Sequence, residues 1–462
     1  MIKFGTDGWR AIIAEDFTFD NVKITAQALA DYYNKQKKNN KAVIGYDRRF
    51  LSADFAQAVA CVLAANGIKA VLSDGDIPTP AVSFECLYSG YDFGVMITAS
   101  HNPYRFNGFK IKTREGAGAD KNVTDGVERL LGKSRVECVD FSQGKKKGII
   151  KVEKITEGYV KFFSKYIDLK KIRKLKMKVL IDTMHGVGNG YVADVLGKCG
   201  TKIDYLHNDY NPSFEGISPE PVAANLKELM LKVKGQGYTC GLCLDGDADR
   251  IAMVDSKGNF INAQILLPLL AIHMLKNRKE EGGIGKTVVG SNIIDDVAIS
   301  LGAACYETPV GFKYISNLFK DNLICIGGEE AGGIGYRGYI PERDGSMSFL
   351  LVLEMMAYEN KTFDELLAGL YQQYGRWFYS RTAISVKSLK RGIDNLKLPD
   401  ALFGHKVERV NKLDGIKLIT KDFWLMFRAS GTEPIVRVYA ESKSQVLSDK
   451  LIELGKKMIY AL

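Results

Sequence analysis

Lys41-Ala-Val-Ile-Gly-Tyr-Asp47 is a short β-branched run with two counterparts, Lys178-Val-Leu-Ile-Asp-Thr183 and Lys286-Thr-Val-Val-Gly-Ser-Asn292. A helical stretch and a glycine follow each: Ala53–Asn66 before Gly67, Gly190–Cys199 before Gly200, Asp295–Leu301 before Gly302. A second apolar run and another helix then lead to a third run, Tyr91-DFGVMIT, Tyr238-TCGLCLD or Asn322-LICIGG. Self-similarity of this kind marks a repeated supersecondary unit. Strand, helix, strand, helix, strand predicts a parallel or mixed sheet with helices on its faces. From about Phe378 the pattern breaks into strand-like Trp424-LMF, strand-like Ile435-VRVYAE and a last helix, Ser442–Ala461, which read as a smaller α+β module. The expected architecture is therefore α/β: three similar mixed-sheet α/β domains and a smaller C-terminal α+β domain. The boundaries fall at 1–155, 156–257, 258–372 and 373–462.

Length and composition agree with a multidomain chain. The 462 residues alone suggest roughly three domains at about 150 residues each, and the repeats raise that to four. A hydrophobic share of 46% and a charged share of 26% exclude a disordered, fibrous or disulfide-framework protein. With 46 Gly against 11 Pro and no collagen-like period, tight turns and backbone-lined loops are expected. The formal charge is +10, and much of the excess lies in runs such as Asn34–Lys41, Lys145–Lys147 and Lys170–Lys178. No nucleic-acid module or aromatic stacking partner accompanies them. They read as solvated loops and helix ends that also favour anionic small molecules. Cys240 and Cys243 form a C-x-x-C, but inside an apolar run and without a second ligand pair at zinc spacing, so core thiols are expected. The N-terminus shows no secretory pattern, and no apolar run reaches the roughly 18–20 residues of a membrane span. The expectation is a cytoplasmic, reduced protein without nucleic-acid or membrane partners.

Three chemically unlike loops follow the third runs: Thr98-ASHNP, Asp245-GDADR and Gly328-EEAGG. Ligands of open α/β sheets bind beyond the carboxyl ends of the strands, so three such loops point to one composite site. Ser100 there is a candidate nucleophile beside His101, although the loop also fits a polar turn stopped by Pro103. Asp245, Asp247 and Asp249 crowd three like charges into one turn and call for a cation. All-oxygen ligands with room for phosphate favour Mg²⁺ over zinc. An EF-hand is excluded, because its sixth position would be Arg250 and its twelfth Ser256. Glu329 and Glu330, set between glycines, have the acceptors for sugar hydroxyls, and a Gly-rich surface turn is the plainer alternative. Arg428, Ser430, Gly431 and Thr432 combine a guanidinium fork, two hydroxyls and loop backbone, a set suited to phosphate. Thr6, Asp7, Gly8 and Arg10 form another polar turn, and Lys110 is available as a proton donor, acceptor or fixed charge. Gly285-Lys286-Thr287 looks like the end of a P-loop, but Glu280 stands where its first Gly belongs and the segment is expected to precede a strand.

In this order, Phe4-GTDGWR, Thr98-ASHNPYRFNGFK, Asp245-GDADR, Gly328-EEAGG and Arg428-ASGTEP resemble the α-D-phosphohexomutases, within them the phosphoglucomutase/phosphomannomutase group. The resemblance runs the length of the chain. It implies four domains around a central cleft and Ser100 as a phosphoserine. Asp245, Asp247 and Asp249 would bind Mg²⁺ together with that phosphate. Arg10 and Arg250 would lie near the transferred group, with Lys110 and His101 as proton-transfer candidates. Glu329 would read sugar hydroxyls; Arg428, Ser430, Gly431, Thr432 and Arg437 would hold the non-reacting phosphate. Ala331 stands where many members have Ser, and Phe312 in Pro309-VGFKY where some bacterial relatives carry His, with Lys313 and Arg343 as cationic substitutes. The implied reaction interconverts hexose 1- and 6-phosphates of glucose or mannose through a bound hexose 1,6-bisphosphate, in a monomer or homodimer. A phosphoglucosamine mutase, a metal-dependent phosphatase using Asp245 as nucleophile, and a non-enzymatic phosphosugar sensor are the alternatives.

Overall fold

A computed structural model describes residues 2–36, 40–385, 392–430 and 435–462. Alternation decides how the first sheet is covered. In the strands Lys41–Tyr46 and Lys69–Ser73, Ala42, Ile44, Ala70 and Leu72 face one apolar cluster, while Val43 and Val71 face another. The helix Ser52–Ala65 closes the first face and Thr79–Tyr88 the second, so both sides of the sheet are buried, as parallel strands require. Six strands lie in the order Trp9–Ile12, Phe106–Thr113, Phe93–Ile97, Lys41–Tyr46, Lys69–Ser73, Ile150–Glu153.

The second sheet runs Phe260–Ile261, Ile251–Val254, Cys240–Leu244, Lys178–Asp182, Lys202–Leu206, and the third Cys305–Thr308, Gly283–Thr287, Ile324–Gly328, Ile334–Tyr336. In all three, the third strand of the repeat pairs parallel with the first and antiparallel with the strand that follows it. Each of the three loops that follow these third strands is thus a short reversal between a central strand and its antiparallel neighbour. The fourth sheet is antiparallel, in the order Phe378–Ser385, Ile435–Ser442, Phe423–Ala429, Ile416–Ile419, Arg409–Asn411, with the helix Gln445–Tyr460 packed on it. Cys240 and Cys243 are fully buried in the strand Cys240–Leu244 and are free thiols. No helix among the described residues is long and apolar enough to cross a membrane.

Two local expectations are corrected. The third repeat's first strand is Gly283–Thr287, so Val288 and Val289 lie beyond it. They pack with Trp424, Met426 and Tyr439 of the fourth domain: their β-branched surface serves a domain contact rather than a sheet. Gly285-Lys286-Thr287 accordingly lies inside a strand instead of preceding one, and the Lys286 ammonium is bound by Asp295.

His207, just past the strand Lys202–Leu206, places Nδ1 3.0 Å from Asp182 Oδ1, and this contact raises its pKa to about 9 despite partial burial. A folded-state pKa above the unfolded value of about 6.5 contributes stability that is complete below that value. The contribution fades as pH rises through about 9. Melting temperatures of the wild type and His207→Gln should therefore differ most near pH 6 and converge by about pH 10, measured in matched buffers across that range.

Candidate active site

The strand Phe93–Ile97 is wholly buried and delivers Ser100 into a turn where its φ is +52°, a left-handed conformation uncommon for a residue with a side chain. Ser100 Oγ donates to Asp245 Oδ2 at 2.8 Å, and Ser100 N–H donates to Thr98 Oγ1 at 2.9 Å. His101 Nδ1 lies 3.4 Å from Ser100 Oγ. Burial, reinforced by Arg250, Arg10, Lys110 and Arg49, pushes the His101 pKa well below its ordinary value and keeps the imidazole neutral.

Asp245, Asp247 and Asp249 have no solvent exposure, and one carboxylate oxygen from each lies within 4.8 Å of the other two. Cations from other domains balance them. Lys110 Nζ sits 2.8 Å from Asp247 Oδ2, 3.2 Å from Asp249 Oδ2 and 2.8 Å from Asp7 Oδ2. Arg343 donates through Nη2 to Asp249 and Asp7, both at 2.8 Å, and through Nη1 to Glu329 Oε2 at 2.9 Å. Burial works against the Lys110 charge, but Asp247, Asp249 and Asp7 outweigh it and hold the ammonium above its ordinary pKa. Burial also raises Asp245, and Asp247 and Asp249 raise it further; Asp247 is lowered because Lys110 overrides its own desolvation. Among the described residues, Asp247 Oδ1 and Asp249 Oδ1 are buried without a hydrogen-bond partner. Two orphaned carboxylate oxygens beside a third carboxylate fit a divalent cation that prefers oxygen ligands.

The other expected residues divide into two groups. Arg10 joins the cluster through Asn102 Oδ1 at 2.8 Å and Asp7 Oδ2 at 3.5 Å; Arg250 joins through its N–H to Asp245 Oδ1 at 3.1 Å, with Nε 3.9 Å from Asp249. Phe312, buried at the start of its helix, lies under the Arg343 guanidinium with 5.6 Å to the ring centroid. Ser100, His101, Lys110, Arg10, Arg250, Arg343, Glu329 and the three aspartates therefore form one cluster. Glu330 accepts from Thr287 instead, and Ala331 forms the half-buried tip of the loop. Lys313 lies over the Tyr314 ring at 5.2 Å. Arg428 donates to Asp414 Oδ2 at 2.8 Å, and the same oxygen accepts from Val310 N–H at 2.8 Å, which ties the fourth domain to the third. Arg437 faces Arg428 across paired strands, and Ser430 N–H donates to Ile435 O at 2.9 Å. Gly431 and Thr432 lie outside the described residues.

Sequence reasoning missed Asp47, Arg49, Thr79 and Asn102. Thr79 Oγ1 donates to Asp247 Oδ2, and Asp47 and Arg49 grip the Ser100 turn from below. A signal was present: Tyr46-DRRF stands at the carboxyl end of the first repeat's first strand, the same sheet edge that carries the Ser100 loop. A hydroxyl nucleophile, a carboxylate cage and converging guanidinium groups are the components that phosphoryl transfer needs.

Comparison with known proteins agrees with this chemistry. Models of phosphoglucomutase/phosphomannomutase alpha/beta/alpha domains I, II and III match residues 1–136, 157–258 and 262–374, and that of the C-terminal domain matches 386–453. A phosphoglucomutase/phosphomannomutase of Thermococcus kodakarensis is 31% identical over 99% of this chain and 98% of its own. A phosphoglucosamine/phosphogalactosamine mutase of Sulfurisphaera tokodaii is also 31% identical, over 99% and 98%. The crystal structure of a Thermus thermophilus protein assigned as a phosphomannomutase superposes with TM-score 0.88 at 30% identity, covering 99% of both chains. The fold and these relatives define a mutase, an isomerase of the α-D-phosphohexomutase superfamily. Within it, the chain belongs to the phosphoglucomutase/phosphomannomutase family.

Removing the Lys110 ammonium takes the ion-pair partner from buried Asp247 and leaves Arg343 alone to hold Asp249 and Asp7. Lys110→Ala should lower stability by about 3–5 kcal/mol in metal-free buffer, measured by urea denaturation. A divalent cation that fills the cage should recover part of that loss in the same assay.

Proposed function

We propose that the enzyme interconverts hexose 1-phosphate and hexose 6-phosphate through phosphorylated Ser100 and a bound hexose 1,6-bisphosphate. The carrying observation is the Ser100 hydroxyl, held at 2.8 Å from Asp245 inside a cage of three buried aspartates and converging cations. The Ser100 Oγ–phosphorus bond breaks as a substrate hydroxyl oxygen bonds to phosphorus. After the bisphosphate turns end for end, its other phosphoryl group returns to Ser100. Lys110 is fixed as an ammonium by three carboxylates, so its assigned part is charge stabilisation of the transferred oxygens. Neutral His101 has the lone pair to take or return the hydroxyl proton. Asp245, Asp247 and Asp249 would hold Mg²⁺, which when bound supplies charge neutralisation at the phosphoryl oxygens. Arg10, which donates to Asn102, and Arg250, which donates to Asp245, are assigned to the transferred phosphoryl group. Glu329 is assigned to sugar hydroxyls, and Arg428, Ser430, Gly431, Thr432 and Arg437 to the non-reacting phosphate of either sugar orientation. Eight free cysteines suit the reduced cytoplasm.

Glucose and mannose phosphates are the first substrates to test. Glucosamine phosphate is the second reading, favoured by the equal identity of the Sulfurisphaera tokodaii relative. A phosphatase working through Asp245 is disfavoured, because Ser100 and the Arg250 N–H engage both oxygens of that carboxylate.

Three outcomes are expected. Intact mass should show one phosphate on the wild type, stable to hydroxylamine, whereas an acyl phosphate on Asp245 would be cleaved by it. Ser100→Ala should lose both that phosphate and all turnover while still binding the sugar phosphate by calorimetry. With Mg²⁺ and a trace of the matching bisphosphate, parallel assays on glucose, mannose and glucosamine 1-phosphates should reveal the preferred sugar. Turnover of none of them would refute the proposed substrates, and full activity in Ser100→Ala would refute the phosphoserine route.

A further inference from the structure

Ser100 occupies a backbone conformation that an L-residue keeps only when its surroundings impose it. The surroundings here are two residues at the end of a different strand. Arg49 is buried, with 1% exposure, and each of its five side-chain N–H groups has an acceptor. Nε donates to Asp47 Oδ2 at 3.1 Å. Nη1 donates to the carbonyls of Pro103 and Phe106 at 2.9 and 3.0 Å, and Nη2 to those of Ser100 and Asn102 at 2.5 and 2.7 Å. One guanidinium thus ties four carbonyls of the Ser100 turn. The Phe214 ring from the second domain lies 5.0 Å from the guanidinium carbon.

Asp47 completes the frame from the other side. Its Oδ1 accepts from Arg49 N–H at 3.0 Å and Ser52 Oγ at 2.7 Å, and its Oδ2 accepts from Thr98 Oγ1 at 2.6 Å. Thr98 Oγ1 in turn accepts Ser100 N–H at 2.9 Å. Both backbone polar groups of Ser100 therefore lead to the same ion pair: its C=O to Arg49 directly, its N–H to Asp47 through Thr98. On the far side, a Cβ added to Gly246 would meet Ser100 O at 2.6 Å, so the Asp245 loop presses on the same carbonyl.

We propose that Arg49, acting directly on the Ser100 carbonyl, and Asp47, acting through Thr98, are positioning residues that hold Ser100 in its left-handed conformation and aim Oγ at the Asp245 cage. This rests on the assignment of Ser100 as phosphoryl carrier. With every N–H engaged by protein, Arg49 has none left for a phosphate, so it acts through Ser100 and not on substrate. A planar fork is required, because a lysine ammonium in its place has three donors at one point and cannot reach four diverging carbonyls.

The test compares Arg49→Lys, Thr98→Val and Thr98→Ser with wild type whose Ser100 phosphate and turnover have first been verified; failure at that first step refutes the assignment of Ser100 as phosphoryl carrier alone. Arg49→Lys and Thr98→Val should each lower kcat by about a hundredfold, the scale of a small displacement of a reacting group. KM should stay within about twofold and the melting transition should remain cooperative, a pattern that marks loss of an interaction felt in the transition state. Thr98→Ser restores the hydroxyl link and should retain most of the kcat. The phosphorus NMR line of phosphoserine should shift in Thr98→Val and return in Thr98→Ser. If Arg49→Lys does not fold, the two Thr98 variants decide. The proposal is overturned by wild-type kcat in Thr98→Val, by Thr98→Ser being as impaired as Thr98→Val, or by activity lost only in proportion to unfolded protein.

Discussion

Three carboxylates placed without exposure at the end of one strand are the constraint from which much of the tertiary structure follows. Burying Asp245, Asp247 and Asp249 together is unfavourable unless positive charge reaches them, and their own short loop supplies only Arg250. The balance comes from elsewhere: Lys110 from a strand of the first domain and Arg343 from the third. Asp7, from the N-terminal turn, lies between the two cations and accepts from both. A buried Lys112–Glu342 pair repeats the link between first and third domains one step away. Neutralising the cage is therefore also what joins three domains around it.

The sheets make that arrangement possible. Each repeat ends its third strand with an immediate antiparallel reversal, so its functional loop is short and carried on two hydrogen-bonded strands. Close contact between loops then depends on small residues. A Cβ on Gly186 would fall within 2.8 Å of Gly246 backbone atoms, and one on Gly246 within 2.6 Å of Ser100 O. Those glycines let the second-domain loops stack against each other and against the first-domain turn. The fourth domain is attached differently, by an apolar contact of Trp424, Met426 and Tyr439 with Val288 and Val289, and by Lys417 donating to Val288 O at 2.6 Å.

The repeat, the mixed sheets and the smaller last domain were legible because they rest on local periodicity and turn chemistry. Val288 and Val289 show where that reading fails: a β-branched pair next to a strand is indistinguishable, within the chain, from the strand itself. The missed Asp47 and Arg49 show a second limit. Their partners are Thr98, Ser100, Asn102, Pro103 and Phe106, about fifty residues away, and their own surroundings in Tyr46-DRRF read as an ordinary polar turn. Phe312 shows a third: its ring lies beneath Arg343, a pairing that neither residue announces in sequence.

What the sequence determined by itself is the inventory and its order: which strands repeat, which loops end them, and which oxygens, hydroxyls and cations those loops carry. Such features depend on neighbours within a few residues. The tertiary structure alone decided how charge is distributed among them. Lys110 became a fixed ammonium and His101 a neutral imidazole because burial and facing charges from distant segments set their protonation. Ser100 acquired its left-handed geometry because Arg49 holds its C=O directly and Asp47 holds its N–H through Thr98. Coulomb forces and hydrogen bonds act across space rather than along the chain, so these properties exist only once the domains have closed on one another.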